Sequence, residues 1–202
     1  MSTHAASHAV MREAAPSANC DPRRDRYDAW MTRAAGFAND DLFARMLASQ
    51  EQGRGALPPG LGLVEADFLA LMARHFPVFG ATLGGRDSRV DAAREAERDD
   101  LSALLLAHRA ERDDSERWMA EIVACACMGA DHLWQDLGLW SRVDLSRLMT
   151  QNFPALAATN TRDMKWKKFL YKQLCERADV QVCRAPSCEV CGDYAGCFGP
   201  ED

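Results

Sequence analysis

Four cysteines near the end of the chain have the residue type and the spacing of metal ligands. They form the pattern C-x4-C-x2-C-x5-C, at positions Cys183, Cys188, Cys191 and Cys197. The two-residue spacer between Cys188 and Cys191 allows both sulfurs to reach one metal centre. Thiolates are soft ligands that favour zinc, copper(I) or iron–sulfur units over hard cations. The pattern therefore predicts a metal site within one short segment, residues 179–202.

The spacing favours an iron–sulfur species over zinc. Structural zinc sites commonly combine two C-x2-C pairs, and this segment has only one. The opening C-x4-C-x2-C is that of plant-type ferredoxins, but there the fourth cysteine lies much farther along the chain. The match is partial, so no ferredoxin fold follows from it. Two alternatives stay open here: a zinc site, and cysteines that serve only as small apolar residues or cluster by chance.

Composition limits what the rest of the chain can be. With 202 residues, of which 48% are hydrophobic, the chain is large enough for one buried core. The net charge of -6 argues against general nucleic-acid binding, which depends on an excess of Lys and Arg. No apolar run has the length of a membrane span, and the first residues lack a signal-peptide pattern. We therefore expect a cytoplasmic protein, in which clustered cysteines favour metal over disulfides.

The elements that must position the cysteines are predicted to be helices. Apolar residues recur at three- and four-residue steps, and no stretch alternates as a strand would. The predicted helical stretches are 22–50 with a break at 36–40, 65–76, 90–110, 114–128, 144–151 and 161–176. The predicted connections are 53–62 and the Gly84-Gly85 turn. The predicted N-cap of the 114–128 helix is Asp113, Asp114 or Ser115, and that of the 161–176 helix is Asn160. The organisation expected is a disordered tail at 1–20, an all-α domain at 21–178 and an irregular cysteine loop at 179–202.

Three stretches of the sequence resemble the NifQ family of nitrogen-fixation proteins. The first is the four-cysteine pattern itself, followed by Phe198-Gly199-Pro200-Glu201. The others run from His132 to Arg142 and from Asn152 to Glu176. The resemblance is close over about the last seventy residues, weaker between about Tyr27 and Gly129, and absent before that.

The resemblance implies a function and a set of partners. NifQ-like proteins are expected to carry an iron–sulfur cluster that takes up molybdenum from molybdate or another source. They are expected to pass the metal to the machinery that makes the iron–molybdenum cofactor. The implied partners are the nitrogenase iron protein and the NifEN scaffold complex. On this view the four loop cysteines are cluster ligands, whereas the others do not belong to the pattern: Cys20, Cys125, Cys127 and Cys175.

All the lysines of the chain lie within eight residues. On a helix, Lys165, Lys168 and Lys172 share one face, opposite the apolar set of Trp166, Phe169, Leu170 and Leu174. One interpretation is an electropositive patch that offsets an anionic cluster, attracts molybdate or docks an acidic partner. The other is the solvated face of an amphipathic helix. The sequence does not decide between them.

Among the histidines, His132 is the candidate for a role at the metal site. It lies in a family-like stretch, where it could donate a hydrogen bond behind a metal ligand or be an auxiliary ligand. A lone histidine beside Leu133 and Trp134 is more often a packing or capping residue, and His108 on a leucine-rich helix is expected to be structural. We find no catalytic motif, so the expected role is that of a metal donor and not of an enzyme. The rival functions are a zinc-stabilised interaction module and a small iron–sulfur redox protein.

Overall fold

A computed structural model describes residues 21–77 and 92–177 of the chain. Every regular element within these ranges is helical, which confirms the all-α prediction for the described part. The α-helices, in chain order, are α1 (Pro22–Met31), α2 (Asp40–Glu51), α3 (Glu65–His75), α4 (Ala92–Leu106), α5 (Ser115–Cys127), α6 (Leu133–Asp136), α7 (Arg142–Asn152), α8 (Pro154–Thr159) and α9 (Trp166–Arg177). A 3₁₀ turn, Pro59–Gly62, lies between α2 and α3. None of the described helices is long and apolar enough to cross a membrane. The predicted tail at 1–20, the Gly84-Gly85 turn and the cysteine loop at 179–202 lie outside the described residues.

Local sequence rules explain where several helices begin and end. Pro22 opens α1, and the Asp21 carboxylate accepts the first free backbone N–H, that of Arg23, at 3.1 Å. Helix α3 stops at His75 because the residue before Pro77 is disfavoured in helical geometry. This end lies one residue from the predicted one.

The core is organised around α5, which is buried on nearly all sides. Its buried residues are Ser115, Glu116, Met119, Ala120, Ile122, Val123, Ala124, Cys125, Ala126 and Cys127. A helix that is apolar around most of its circumference must be covered by other elements. Helices α3, α4 and α6 and the 3₁₀ turn contact it, while α1 packs on α2 and α7 on α8. The segment that was predicted as one helix among several is therefore the centre of the domain.

Several of the helix predictions are wrong in their boundaries or caps. Helix α4 ends at Leu106 and not at Ala110, and His108 lies beyond it, with Nδ1 2.8 Å from the carbonyl oxygen of Leu104. Helix α9 begins at Trp166 and not near 161, so Asn160 is not its N-cap.

Asn160 instead holds the loop before α9. Its side chain accepts the backbone N–H of Met164 at 2.8 Å and donates to the carbonyl of Met164 at 2.9 Å. Two short helices, α6 and α8, were not predicted at all, because four and six residues are too few for an apolar period to register.

A buried histidine–aspartate pair fixes the end of α3 to the start of α2. His75 Nδ1 lies 2.5 Å from Asp40 Oδ1, and the two side chains are 0% and 3% exposed. The other Asp40 oxygen accepts the backbone N–H groups of Gly36 and Phe37 at 2.7 and 2.8 Å. The His75 ring packs edge-on against Phe43 with 4.8 Å between ring centroids. The Asp40 carboxylate thus provides hydrogen-bond acceptors for two backbone N–H groups of the loop between α1 and α2, which have no helical partners.

Burial lowers the pKa of His75 below its ordinary value, and Asp40 opposes this shift only in part. The folded protein therefore holds the imidazole in its neutral form at neutral pH. Between the folded and the unfolded pKa of His75, the unfolded chain binds more protons, so the free energy of unfolding rises with pH. The stability that the folded protein has from a neutral His75 is fully present above the unfolded pKa of about 6.5 and is lost as the pH falls below that value.

We expect the wild-type chain to lose stability between about pH 7.5 and about 5.5, in part through His75. The variant His75→Asn starts less stable but cannot take up this proton, so its loss over the same range should be smaller by about 1 kcal/mol. Urea unfolding at a series of pH values measures the difference. Equal acid sensitivity of the two proteins would mean that His75 is not held neutral in the folded state.

Candidate functional site

The four cysteines of the pattern lie outside the described residues, so their convergence on one metal stays a prediction. What the structure does describe is the helix that leads to them. Helix α9 ends at Arg177, shortly before Cys183, and is the last described element. Helix α9 is therefore the described element nearest in sequence to the predicted metal site.

Apolar side chains attach one face of α9 to the core. Trp166, Phe169 and Leu170 are buried, and the rings of the first two meet edge-on with 5.7 Å between their centroids. Helix α9 packs on α4, and half-buried Leu174 packs against the hydrophobic core. The four residues predicted to form the apolar face do so.

A lysine provides the polar part of the attachment. Lys167 Nζ donates to the carbonyls of Gly129 and Asp131 at 2.9 and 2.6 Å, and it forms an ion pair with the carboxylate of Asp136. The Lys167 and Asp136 side chains are only 18% and 3% exposed. Because the ammonium group meets carbonyls just beyond the C-terminal end of α5, it also interacts favourably with the dipole of that helix.

Gly129 makes this arrangement possible through its lack of a side chain. A Cβ at this position would lie 2.4 Å from the Asp136 carboxylate. The predicted helical stretch 114–128 ends directly before Gly129, and α5 does end nearby, at Cys127. The tertiary structure adds the stronger reason for a glycine here, which is the close approach of the carboxylate that binds Lys167.

A second polar contact joins α9 to α4. The Tyr171 hydroxyl donates to the carboxylate of Glu97, and burial, followed by this hydrogen bond, raises the pKa of Tyr171 above its ordinary value. Tyr171 therefore remains a protonated donor at any physiological pH. Helix α9 is thus attached to α4 and to the α5–α6 connection by both apolar and polar contacts.

The other three lysines lie away from this attachment. Lys168 and Lys172 are exposed on α9, away from its apolar face as helical periodicity predicts. Lys165 is half-buried and precedes the first residue of α9, so its predicted place on the helix is wrong. Lys172 forms an exposed ion pair with Glu176 at 3.6 Å. Helical periodicity places Lys167 off the face that the other lysines were predicted to share, but it does not predict the buried ion pair with Asp136.

His132 occupies the N-cap position of α6. Its backbone N–H donates to the side-chain oxygen of Gln135 at 3.2 Å, in the manner of a capping box. This position agrees with the packing or capping interpretation. A role for the imidazole at a metal stays a prediction.

The cysteines in the described ranges are core or helix residues. Cys125 is 9% and Cys127 2% exposed, and Cys175 is half-buried on α9. Burial raises the pKa of the Cys125 thiol and raises that of Cys127 to about 12, so both remain neutral thiols at neutral pH. Neutral buried thiols are poor metal ligands. Among the residues that the structure describes, no three His, Cys, Asp or Glu side chains form a metal-binding group.

These features define a class: a small protein, helical in the described ranges, in which a firmly attached helix, α9, is followed in sequence by a cysteine segment with metal-ligand spacing. A family model described as NifQ matches residues 42–199. The chain belongs to the NifQ family, and thus to the proteins of nitrogen fixation, as the resemblance of its sequence indicated.

Individual relatives agree with this assignment. Protein NifQ of Azotobacter vinelandii is 45% identical over 176 residues, which cover 81% of this chain and 90% of its own. Protein NifQ of Klebsiella pneumoniae is 39% identical over 166 residues, covering 78% of this chain and 97% of its own. Protein NifQ of Rhodobacter capsulatus is 38% identical over 161 residues, which cover 79% of this chain and 87% of its own. No solved structure gives a significant match.

The substitution Lys167→Met should lower the free energy of unfolding by about 3 kcal/mol, because it leaves the buried Asp136 carboxylate without its ion-pair partner. The matched control is Lys172→Met on the same helix, where loss of an exposed ion pair should cost about 0.5 kcal/mol or less. Urea unfolding of both variants provides the comparison. Similar losses for the two would contradict the anchoring role of Lys167.

Proposed function

We propose that this protein is a molybdenum carrier of nitrogenase cofactor assembly. In this proposal Cys183, Cys188, Cys191 and Cys197 bind an iron–sulfur cluster, and the molybdenum held there is donated for the iron–molybdenum cofactor. The observation that carries the proposal is the family match, which extends to residue 199 and so includes all four cysteines of the pattern. The protein would act in the cytoplasm as a donor and not as an enzyme.

The donor chemistry of the chain supports a thiolate site in this segment. Soft thiolates suit iron and a softer transition metal such as molybdenum. The described cysteines Cys125 and Cys127 are held as neutral thiols by burial, so they do not compete for the metal. The four cysteines of the pattern remain as the donor set that has ligand spacing.

A division of labour among the four ligands follows from the needs of a carrier. A cubane of three irons and one molybdenum requires one thiolate for each iron, so three cysteines suffice for the irons. The fourth cysteine, or a weaker external ligand, would hold the molybdenum. A carrier must release its cargo, and a single weakly held corner allows release without loss of the irons.

The anchored helix gives the partner proteins a fixed surface next to this segment. Helix α9 is attached through Trp166, Lys167 and Tyr171, so Lys168 and Lys172 on its exposed side, and Lys165 directly before it, have a defined position on the domain. In this proposal Lys165, Lys168 and Lys172 attract molybdate or dock the nitrogenase iron protein or the NifEN scaffold complex.

Single replacements of the four cysteines by serine should have unequal effects on metal content. Three of the variants should lose the cluster, while one should retain iron and lose molybdenum. The measurement is quantitation of iron, molybdenum and zinc in protein purified without oxygen. The matched control is Cys175→Ser, at a cysteine outside the pattern, which should retain both iron and molybdenum.

The outcomes of that experiment separate the rival functions. Equal loss of iron at all four positions would contradict the division of labour. Colourless protein that contains zinc would replace the proposal by a structural zinc module. Iron without molybdenum, in protein that fails to support cofactor synthesis, would indicate a redox protein instead.

Charge reversal at Lys165, Lys168 and Lys172 to glutamate should reduce both partner binding and molybdenum transfer, because it turns the face negative. The control is the triple replacement by arginine, which conserves charge and should retain most of the activity. Transfer is measured in a cofactor-synthesis assay, and partner binding by co-purification. If transfer and binding survive the reversal, this face is merely solvated.

A further inference from the structure

A second candidate site lies on the domain, and it involves neither the cysteine pattern nor the lysine face. It is a cavity of about 290 Å³ between the end of α3, the α4–α5 loop and the start of α5. Four arginines line it: Arg74, Arg109, Arg112 and Arg117. Such a concentration of guanidinium groups is unexpected in a chain with a net charge of -6.

Three of these guanidinium groups are available to a ligand. Arg109, Arg112 and Arg117 lack a side-chain hydrogen bond or ion pair within the part of the chain that the structure describes. Some other arginines are used within the fold: Arg45, for example, forms an ion pair with Asp41 and lies 4.6 Å from the Trp140 ring centre. The cavity arginines are therefore not consumed by the fold.

The loop that carries two of them has a fixed backbone. The carboxylate of Glu116, a residue only 3% exposed, accepts the backbone N–H groups of Glu111, Arg112 and Asp113 at 2.7, 3.0 and 3.2 Å. The N–H of Ala110 also donates to the carbonyl of Asn152 at 2.8 Å. Because the backbone is held at these points, Arg109 and Arg112 start from defined positions, which lowers the entropic cost of binding.

The carboxylates around the cavity do not cancel its charge. Three carboxylates line the cavity with the four arginines, namely Glu111, Asp113 and Asp114. The carboxylate of Glu116, behind the loop, is committed to backbone N–H groups. Asp113 is occupied by Arg74 Nη2 at 2.5 Å and by the backbone N–H of Ser115 at 2.8 Å. The carboxylates of Glu111 and Asp114 are exposed to solvent, where their charge is screened.

Arg74 also has a donor to spare. Its guanidinium lies 4.4 Å from the centre of the Phe37 ring, which holds the group in place. Its Nε is buried and has no hydrogen-bond partner among the described residues. An unfilled buried donor is costly unless an acceptor completes it.

We propose that this cavity binds a tetrahedral oxyanion with two negative charges, the class that includes sulfate, hydrogen phosphate and molybdate. The guanidinium fork presents parallel N–H groups that match the oxygen pairs of such an anion, whereas a lysine offers only a point charge. The site stands apart from the proposed function, because it requires no cysteine and no cluster. If the bound oxyanion is molybdate, the cavity would hold the source of molybdenum on the same chain as the four cysteines that are proposed to carry the metal.

The test is calorimetric titration of the full chain with sulfate, at constant ionic strength kept by chloride. Thiolates bind metal cations and do not bind sulfate, which is itself an anionic donor, so the result is independent of the cysteine pattern. We expect one sulfate per chain. The double variant Arg109→Gln/Arg112→Gln should bind at least about tenfold more weakly, because it removes charge-assisted hydrogen bonds. Replacement of the same two residues by lysine should restore only part of the affinity.

The matched control is Arg54→Gln, at an exposed arginine outside the cavity, which should bind sulfate as the wild type does. Thermal unfolding of each variant checks that the domain remains folded. Competition by molybdate and by phosphate then identifies the preferred member of the class.

Three results would overturn the proposal. One is sulfate affinity that is unchanged in the glutamine double variant. Another is the absence of binding by sulfate, phosphate and molybdate alike. The third is binding of an acidic peptide such as poly-glutamate without any small oxyanion, which would make the arginines a protein-docking surface. None of these results bears on the metal content of the cysteine segment, so failure here leaves the carrier function intact.

Discussion

The burial of α5 is the constraint on which the rest of the domain depends. Ten of its thirteen residues are buried, so helices α3, α4 and α6 must cover it. Removing this much apolar surface from water is the main favourable contribution to folding. It also leaves the polar groups at both ends of α5 in need of partners, and those partners determine where the neighbouring segments can lie.

The two ends of α5 are satisfied in different ways, and each solution has a functional consequence. At the N-terminal end, Glu116 and Asp113 take up backbone N–H groups and thereby hold the loop that carries the cavity arginines. Near the C-terminal end, Lys167 takes up the carbonyls of Gly129 and Asp131 and thereby attaches α9. One central helix thus positions an anion-binding loop at one end and the approach to the cysteine segment at the other.

The candidate roles require different degrees of rigidity. A metal carrier has to exchange its cargo, so the ligands must be able to release it. The helix before those ligands, by contrast, is attached by buried apolar and ionic contacts that a partner protein can use as a fixed reference. Such a division between a firm scaffold and a labile site is a common solution for proteins that transfer a group.

The sequence by itself determined the helical class, several helix ends and the family. These depend on short-range features: apolar residues at helical steps, a proline after α3, and cysteines within fifteen residues of each other. Helices α6 and α8 are not predicted because four and six residues are too few to show the spacing of apolar residues in a helix. Asn160 is not the predicted N-cap because asparagine is favoured in loops as well as at helix N-caps. The metal at the cysteine pattern remains a prediction of sequence alone.

Only the tertiary structure decided which polar residues act together. The His75–Asp40 pair joins positions 35 apart, Arg74 meets Asp113 across 39 positions, and Lys167 meets Asp136 across 31. Helical periodicity sets Lys167 apart from the face of the other lysines, but no local pattern shows that it meets two carbonyls and the buried Asp136 carboxylate. The physical reason is that the charge state and the partner of a polar group depend on its burial, and burial is set by elements that are distant in the sequence.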